Sequence, residues 1–229
     1  CLESLLAHTP GDDVRFVLAD DASPDSRIPV LLASVAARDP RVTVVRREPN
    51  LGFVRNCNRA MAEAAGDVVL LNSDTRVPAG WLERLRALAH SSDRVGSVTP
   101  LSNNATICSV PQWLVPNDYP EGVDLALLDD AARAAGTGEW IEIPTSVGFC
   151  VYYRREALLA AGLFDEDLFG TGYGEENDLA CRMRDAGYLN LRCDTLFVWH
   201  EGGVSFAESG TGDLAGNLDR ITQRWPRYH

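Results

Sequence analysis

Between Val14 and Val98, short apolar runs alternate with amphipathic segments, and that order confines the chain to one class of architecture. Val14–Ala19, Val42–Val45, Asp67–Leu71 and Val95–Val98 have the length and composition of strands. Pro29–Ala37, Phe53–Ala64 and Trp81–His90, lying between them, carry apolar residues at helical spacing. Parallel strands need a long crossover, which a helix supplies, so the series predicts an α/β fold with a mainly parallel sheet flanked by helices. A run such as Asp67-Val68-Val69-Leu70-Leu71 fits a strand buried on both faces.

From Leu101 to Pro144 the pattern weakens. Prolines at 111, 116, 120 and 144 break it, and only Asp124–Ala135 has helical spacing, so a long, partly ordered excursion over the ligand-binding face is expected. Regularity returns with a strand at Val147–Tyr153 and a helix near Arg155–Ala161. An acidic helix through Arg182 and Arg184 follows, then a strand at Leu191–Val198 ending at His200, and a helix-like tail at Gly212–Trp225. With 229 residues, 45% of them hydrophobic, the chain is long enough for one large domain, and two full domains would be a tight fit. It opens in mid-pattern: Cys1-Leu2-Glu3-Ser4-Leu5-Leu6 is helical in spacing with no strand before it, as expected if a first βα unit had been cut away.

The formal net charge of −12 argues against a general nucleic-acid binder, because phosphate backbones are held by surplus Lys and Arg. All 21 basic residues are arginines. The six cysteines (Cys1, Cys57, Cys108, Cys150, Cys181, Cys193) show no C-x-x-C pair and no metal-finger spacing, and read as reduced thiols of a cytosolic protein. No apolar run reaches transmembrane length, which leaves docking at a membrane surface open.

Two acidic stretches far apart in sequence look like halves of one site. Asp74, in Asn72-Ser73-Asp74, follows the Asp67–Leu71 run and belongs just past a strand's carboxyl end, where open α/β sheets bind ligands. It is a candidate metal ligand or a strand-end cap. Gly172-Tyr173-Gly174-Glu175-Glu176-Asn177-Asp178 puts three carboxylates within four residues at the expected start of a helix. They are a candidate general base with supporting groups, or simply charges favoured by the helix dipole. Asp20 and Asp21 close the first strand, either to accept hydrogen bonds from a nucleotide or to form an Asx turn ahead of Pro24. In Asn50-Leu51-Gly52-Phe53, Gly52 permits close backbone approach; Arg55 beyond it either reaches a diphosphate or is a solvated charge. Ser102-Asn103-Asn104-Ala105 reads as a polar loop or as a contact to donor or acceptor, and Trp113, Trp140 and Tyr173 either stack on sugar rings or fill the core.

Asp20-Asp21-Ala22-Ser23, Asn50-Leu51-Gly52-Phe53, Asn72-Ser73-Asp74, Gly162-Leu163-Phe164-Asp165-Glu166, Gly172 to Asp178 and Trp199-His200-Glu201-Gly202-Gly203 occur in an order that resembles the inverting glycosyltransferases of family 2, which have the GT-A fold. The resemblance runs from Cys1 to about Phe206. The family's opening strand is absent, so the chain resembles an N-terminally truncated member, and its Asp-x-Asp metal motif here reads Asn72-Ser73-Asp74. The resemblance implies a single domain, with residues 1–100 binding nucleotide-sugar and 101–229 binding acceptor. It implies Mn2+ or Mg2+ held by Asp74 and His200, nucleotide-sugar contacts from Asp20, Asp21, Ser23, Asn50, Gly52, Arg55, Asn72 and Ser73, and Glu176 as base supported by Glu175 and Asp178. The implied reaction moves a sugar from a UDP- or dTDP-sugar to a hydroxyl of a glycan or lipid-linked acceptor. Its expected setting is cell envelope polysaccharide synthesis in the cytoplasm or at the inner membrane face.

Two other classes compete. A sugar-phosphate nucleotidyltransferase shares the nucleotide-binding α/β plan but expects a Gly-rich N-terminal loop and lysines, and this chain has no lysine. A non-catalytic nucleotide-sugar-binding domain would tolerate Asn72 and the absent strand; turnover with Mn2+ separates it from a transferase.

Overall fold

The computed structural model describes residues 1–120, 122–170, 172–202 and 214–228; Gly203, Phe206 and Gly212, all named above, lie outside the described residues. The first hundred residues alternate as their periodicity predicts. They form α1 (Leu2–Ala7), β1 (Phe16–Asp20), α2 (Arg27–Ala36), β2 (Val42–Arg46), α3 (Phe53–Glu63), β3 (Val68–Leu71), a short β4 (Thr75–Arg76), α4 (Trp81–Ala89) and β5 (Val95–Leu101). After them come α5 (Leu125–Ala135), β6 (Ile141–Glu142), β7 (Cys150–Tyr153), α6 (Arg155–Ala161), α7 (Glu166–Phe169) and α8 (Glu175–Asp185). The chain continues through β8 (Leu189–Phe197), β9 (Trp199–His200) and α9 (Leu214–Arg224).

The pairing corrects one expectation. β1 and β2 are parallel and form their own two-stranded sheet, but the five-stranded sheet is mixed, in the order β3-β7-β5-β8-β6. Only β5 and β8 pair in parallel there; β7 is antiparallel to both β3 and β5, and β6 is antiparallel to β8. The sequence pattern did not separate these arrangements, because it reports burial of a strand on both faces and not the direction of its neighbours. β7 is buried at all four positions, as a parallel central strand would be. Its residues alternate between two cores: Cys150 and Tyr152 pack with Trp81, Leu85 and Val98, while Val151 and Tyr153 pack with Val54, Met61, Leu158 and Leu179. Each such side chain, fully buried, stabilises the fold by about 1.5–3 kcal/mol.

This topology brings distant segments to one edge. β3, β5 and β8 run in the same direction, so the residues after Leu71, Leu101 and Phe197 leave the sheet on the same side. β7 runs against them, and Leu71 pairs with Cys150, so Gly148 and Phe149 enter at that same edge. The two-stranded β4–β9 ladder then pairs Thr75 with His200.

The excursion is ordered differently from its expectation. Its helix α5 packs on β8, with Asp129 buried against Arg84, Arg133 and the Phe197 amide, so this part braces the sheet and does not cover the ligand face. Only its opening, from Ser102 to Tyr119, lies against β9, through Asn103 and Tyr119.

Candidate active site

Asp74 and His200 meet. The β4–β9 ladder places them side by side, with His200 Nε2 3.5 Å from Asp74 Oδ1 and both side chains largely buried. Asp74 Oδ2 accepts the Gly202 N–H at 3.1 Å, and the Asp74 carbonyl accepts the Glu201 N–H at 3.0 Å. On the other side of the ring, His200 Nδ1 lies 2.6 Å from the Asn104 carbonyl oxygen. A carbonyl only accepts, so Nδ1 carries the proton and Nε2 is the ring nitrogen turned toward the Asp74 carboxylate. A cation seated there would take the Nε2 lone pair together with a carboxylate oxygen. One nitrogen and one oxygen ligand suit a divalent ion such as Mn2+ or Mg2+, and that local chemistry fits the metal implied by the resemblance. Among the described residues no cluster of three or more His, Cys, Asp or Glu could hold an ion, so the described residues offer two such ligands there.

Ser102-Asn103-Asn104, read from sequence as a polar loop, supports this corner. The Asn103 side chain donates to the His200 carbonyl (2.8 Å) and accepts the His200 N–H (2.9 Å), clamping its backbone. Gly202 has φ +75, and a Cβ there would stand 1.9 Å from Asn104 Nδ2, so glycine at this position lets the Asn104 loop close on the histidine. The Phe149 ring stacks on the imidazole at 5.2 Å between centroids. Phe149 carried no signal in the sequence beyond being apolar.

The acidic helix begins close by. Gly172, Tyr173 and Gly174 all have positive φ, turning the chain sharply into α8, and a Cβ on Gly174 would press on the buried Phe169 ring at 3.0 Å. Glu176 lies over Gly148: a Cβ on that glycine would stand 3.6 Å from Glu176 Oε1. Adjacent residues Gly148 and Phe149 therefore touch Glu176 and His200 respectively, joining the two halves of the site. Glu175 is 5% exposed, and Oε2 of both Glu175 and Glu176 is buried without a hydrogen-bond partner.

Both carboxyls titrate high, and burial is the main cause. Glu175 is pushed up to about 9, with the neighbouring Glu176 charge adding to the effect. Glu176 is also raised by burial, opposed by the backbone N–H groups of Glu176, Gly174 and Gly148 and by a hydrogen bond from Glu175. That bond favours the proton on Glu175 and the charge on Glu176. The two carboxyls titrate as one unit, with Glu175 the member that holds its proton more tightly. Because the folded value for Glu175 lies above the ordinary 4.5, the fold loses stability as pH rises from about 4.5 toward 9. Glu175→Gln, which cannot ionise, is expected to melt near the parent at pH 4 and higher than it at pH 8, by roughly 5 °C. Thermal melts of both proteins across that range check this; a constant offset would refute it.

Asp178 has a different place from its two neighbours. It is fully buried, and its carboxylate accepts from Arg182 Nε and Trp225 Nε1, each at 2.8 Å, with Arg224 Nε at 3.3 Å. Arg182 in turn donates to the Ala161 carbonyl, just before the Gly162–Glu166 motif, and to the Leu163 carbonyl within it. Asp178 thus holds the start of α8 in position. Removing one partner from a buried pair of this kind costs about 3–5 kcal/mol. The tail, uninformative as sequence, closes the same cluster: Asn217 donates to the Gly172 carbonyl and Arg224 pairs with Asp165, each at 2.6 Å.

The nucleotide-side residues form a second cluster, held mostly by internal bonds. The Asp20 carboxylate accepts the Ser23 N–H and pairs with Arg46; burial would raise its pKa, but these partners outweigh it and hold it below the usual range. Asp21 accepts the N–H groups of Leu51 and Gly52, both at 2.8 Å, and Asn50 donates to the Asp21 carbonyl. The carboxylates therefore lock the Asn50–Gly52 turn onto the end of β1, and Asp20 with Ser23 makes the Asx-type turn. Arg55 faces Glu166 at 3.5 Å, both well exposed, as a solvated pair. Asn72 donates its N–H to Phe149, and Ser73 is exposed beside Asp74. Cys57 lies between the clusters: burial, Glu175 and Asp21 together push its thiol up to about 12. All six cysteines are free thiols.

A family model described as Glycosyl transferase family 2 matches residues 1–160. An N-acetylglucosaminyltransferase of Neorhizobium galegae is 25% identical over 232 residues, covering 99% of this chain and 50% of that protein. One of Bradyrhizobium diazoefficiens is 24% identical over 200 residues, covering 82% of this chain and 38% of that protein. The chain thus spans half the length, or less, of these relatives. Among solved structures, GalNAc-T7 with UDP, GalNAc and Mn2+ superposes with a TM-score of 0.74 at 20% identity, covering 99% of this chain and 45% of that one. The mannosyltransferase PcManGT from Pyrobaculum calidifontis, in complex with GDP-Man and Mn2+, gives 0.68 at 19% identity, covering 99% and 59%. The fold is the GT-A fold expected from the sequence, with its central sheet mixed in direction.

Proposed function

The chain belongs to glycosyl transferase family 2 and is of the glycosyltransferase type, and from that premise we propose that it carries out a metal-dependent, inverting transfer from a UDP- or dTDP-sugar to a hydroxyl of a glycan or lipid-linked acceptor. One observation carries the reading: Glu176, which has one oxygen buried without a partner, lies over Gly148, and the next residue, Phe149, stacks on the His200 ring that faces Asp74 at 3.5 Å. Asp74 and His200 would hold the ion. When bound, a divalent cation offsets the negative charge that grows on the leaving diphosphate. Glu176 takes the proton of the acceptor hydroxyl as its oxygen bonds to the anomeric carbon and the carbon–diphosphate bond breaks on the opposite face. Glu175 keeps its own proton and, through its hydrogen bond, holds Glu176 ionised and oriented. Asn103, Asn104 and Phe149 keep the imidazole at one angle and one tautomer. Asp20, Asp21, Asn50 and Gly52 form the rigid wall for the nucleotide, with Ser23, Asn72 and Ser73 at its ends and Arg55 at its rim; base contacts then come from the wall's backbone as much as from its carboxylates.

The relatives' name makes an N-acetylglucosamine donor the first to try, and cell envelope polysaccharide synthesis on the cytoplasmic side is the setting proposed. Thermal melts with a panel of nucleotide-sugars test the reading. A UDP- or dTDP-sugar is expected to raise the midpoint by several degrees, roughly 4 °C or more at about 100 times Kd, with Mn2+ or Mg2+ present and to lose that effect with chelator. Stabilisation by GDP-sugars alone would overturn the donor assignment, and a metal-independent shift would overturn the role of the ion.

A further inference from the structure

The segment Val110–Asn117 is a finger rooted at the metal corner. Its base is the Asn117 N–H donated to the Asn103 carbonyl at 2.8 Å, and the Asn103 side chain clamps His200. Residues 111–116 are all exposed, and Trp113, Leu114 and Val115 present 62%, 58% and 41% of their surface to solvent. No charged residue occurs between Arg94 and Asp118, in a chain of which 24% is charged.

Several of the finger's polar groups close on neighbouring protein atoms. Trp113 Nε1 donates to the Ile107 carbonyl (2.7 Å) and the Leu114 N–H to the Thr106 carbonyl (3.0 Å). The buried Asn117 side chain accepts the Gln112 N–H and donates to the Gln112 and Val115 carbonyls, all within 2.9 Å. Pro111 and Pro116 have no N–H to satisfy. Bonds made inside the protein survive withdrawal from water, which is the condition for backbone to enter an apolar phase. A loop meant for water has no need of an internally satisfied indole or of an asparagine serving four main-chain groups, the Asn103 carbonyl among them.

We propose that this finger inserts shallowly into a zwitterionic lipid surface, seating the site beside a membrane-borne acceptor. Three apolar side chains are far too few for a stable protein–protein interface, which takes on the order of 20 residues a side, but they suit an interfacial anchor with tryptophan at headgroup depth. The net charge of −12 and the uncharged finger exclude attraction to anionic lipid as the driving force. The proposal deepens the lipid-linked arm of the function above, yet it is tested by binding alone, without donor or turnover.

The protein is sedimented with phosphatidylcholine vesicles, alongside Trp113→Ser/Leu114→Ser and, as a conservative control, Trp113→Leu. The parent is expected to partition onto the vesicles, the double variant about ten-fold or more weaker, and Trp113→Leu close to the parent. Adding phosphatidylglycerol should weaken binding, and salt should restore it by screening repulsion. Absence of vesicle binding by the parent overturns the proposal, as does binding that both variants keep or that requires anionic lipid and is lost in salt. A concentration-dependent dimer abolished by the double variant would assign the finger to a second copy and overturn it as well. Equal donor-induced stabilisation of parent and variants in metal shows that the substitutions left the nucleotide side intact, so failure here is distinct from failure of the transferase reading.

Discussion

Glu176→Gln is expected to lower kcat by about 10²–10⁴-fold while leaving donor-induced thermal stabilisation close to that of the parent. Glutamine keeps the size of the side chain and its ability to accept from the backbone N–H groups of Gly148 and Gly174, and loses only the capacity to take a proton. The carboxylate touches the Gly148 side of the site, away from the Asp74–His200 contact, so donor and ion binding have no reason to change. The pH profile gives a second check. A base must be ionised, and burial raises Glu176 above the usual carboxylate range. Activity of the parent should therefore fall on the acid side, through a limb displaced upward from an ordinary glutamate, and the residual activity of the variant should lack that limb. Loss of donor binding in proportion to loss of turnover would remove Glu176 from the role of base.

The other large effect is expected from Asp74→Ala. It removes the oxygen ligand, leaves the Gly202 N–H without its acceptor, and leaves the imidazole as the lone ligand that Asn104 already orients. Metal-dependent donor affinity should drop by about two orders of magnitude, since perturbing even the outer partners of a metal site costs 10–100-fold. Melting the variant with donor, with and without Mn2+, measures it: the metal-dependent part of the shift should vanish while the metal-free melt moves little. An unchanged response to Mn2+ titration would refute Asp74 as a ligand. The two variants thus separate what binds the donor from what moves the proton.

Much of this site could be anticipated from residue order because its parts occupy positions with a local signature. Asp74 follows a fully apolar strand, and Glu175 and Glu176 follow a turn, Gly172-Tyr173-Gly174, that only positive φ can complete. Asn103 and Asn104 do lie in a polar loop, but nothing local says that their partner is a histidine 97 and 96 residues away. Asp178 looked equivalent to its neighbours until Arg182, Arg224 and Trp225 were seen to close around it. Asp20 and Asp21 read either as nucleotide contacts or as an Asx turn ahead of Pro24; only the fold shows that their carboxylates also tie the turn at Asn50–Gly52 and the strand pair with Arg46.

By itself the sequence determined which segments become strands and helices, and the residue types available at the strand ends, because periodicity and turn chemistry act over a few residues. Tertiary structure alone decided that β7 enters antiparallel between β3 and β5, and with it that Gly148 and Phe149 arrive between Glu176 and His200. It also decided which carboxylates are answered by arginine and which are buried without a partner. Burial and pairing are properties of what packs around a group. A carboxylate therefore acquires its pKa, and with it its chemistry, only when the rest of the chain has closed over it.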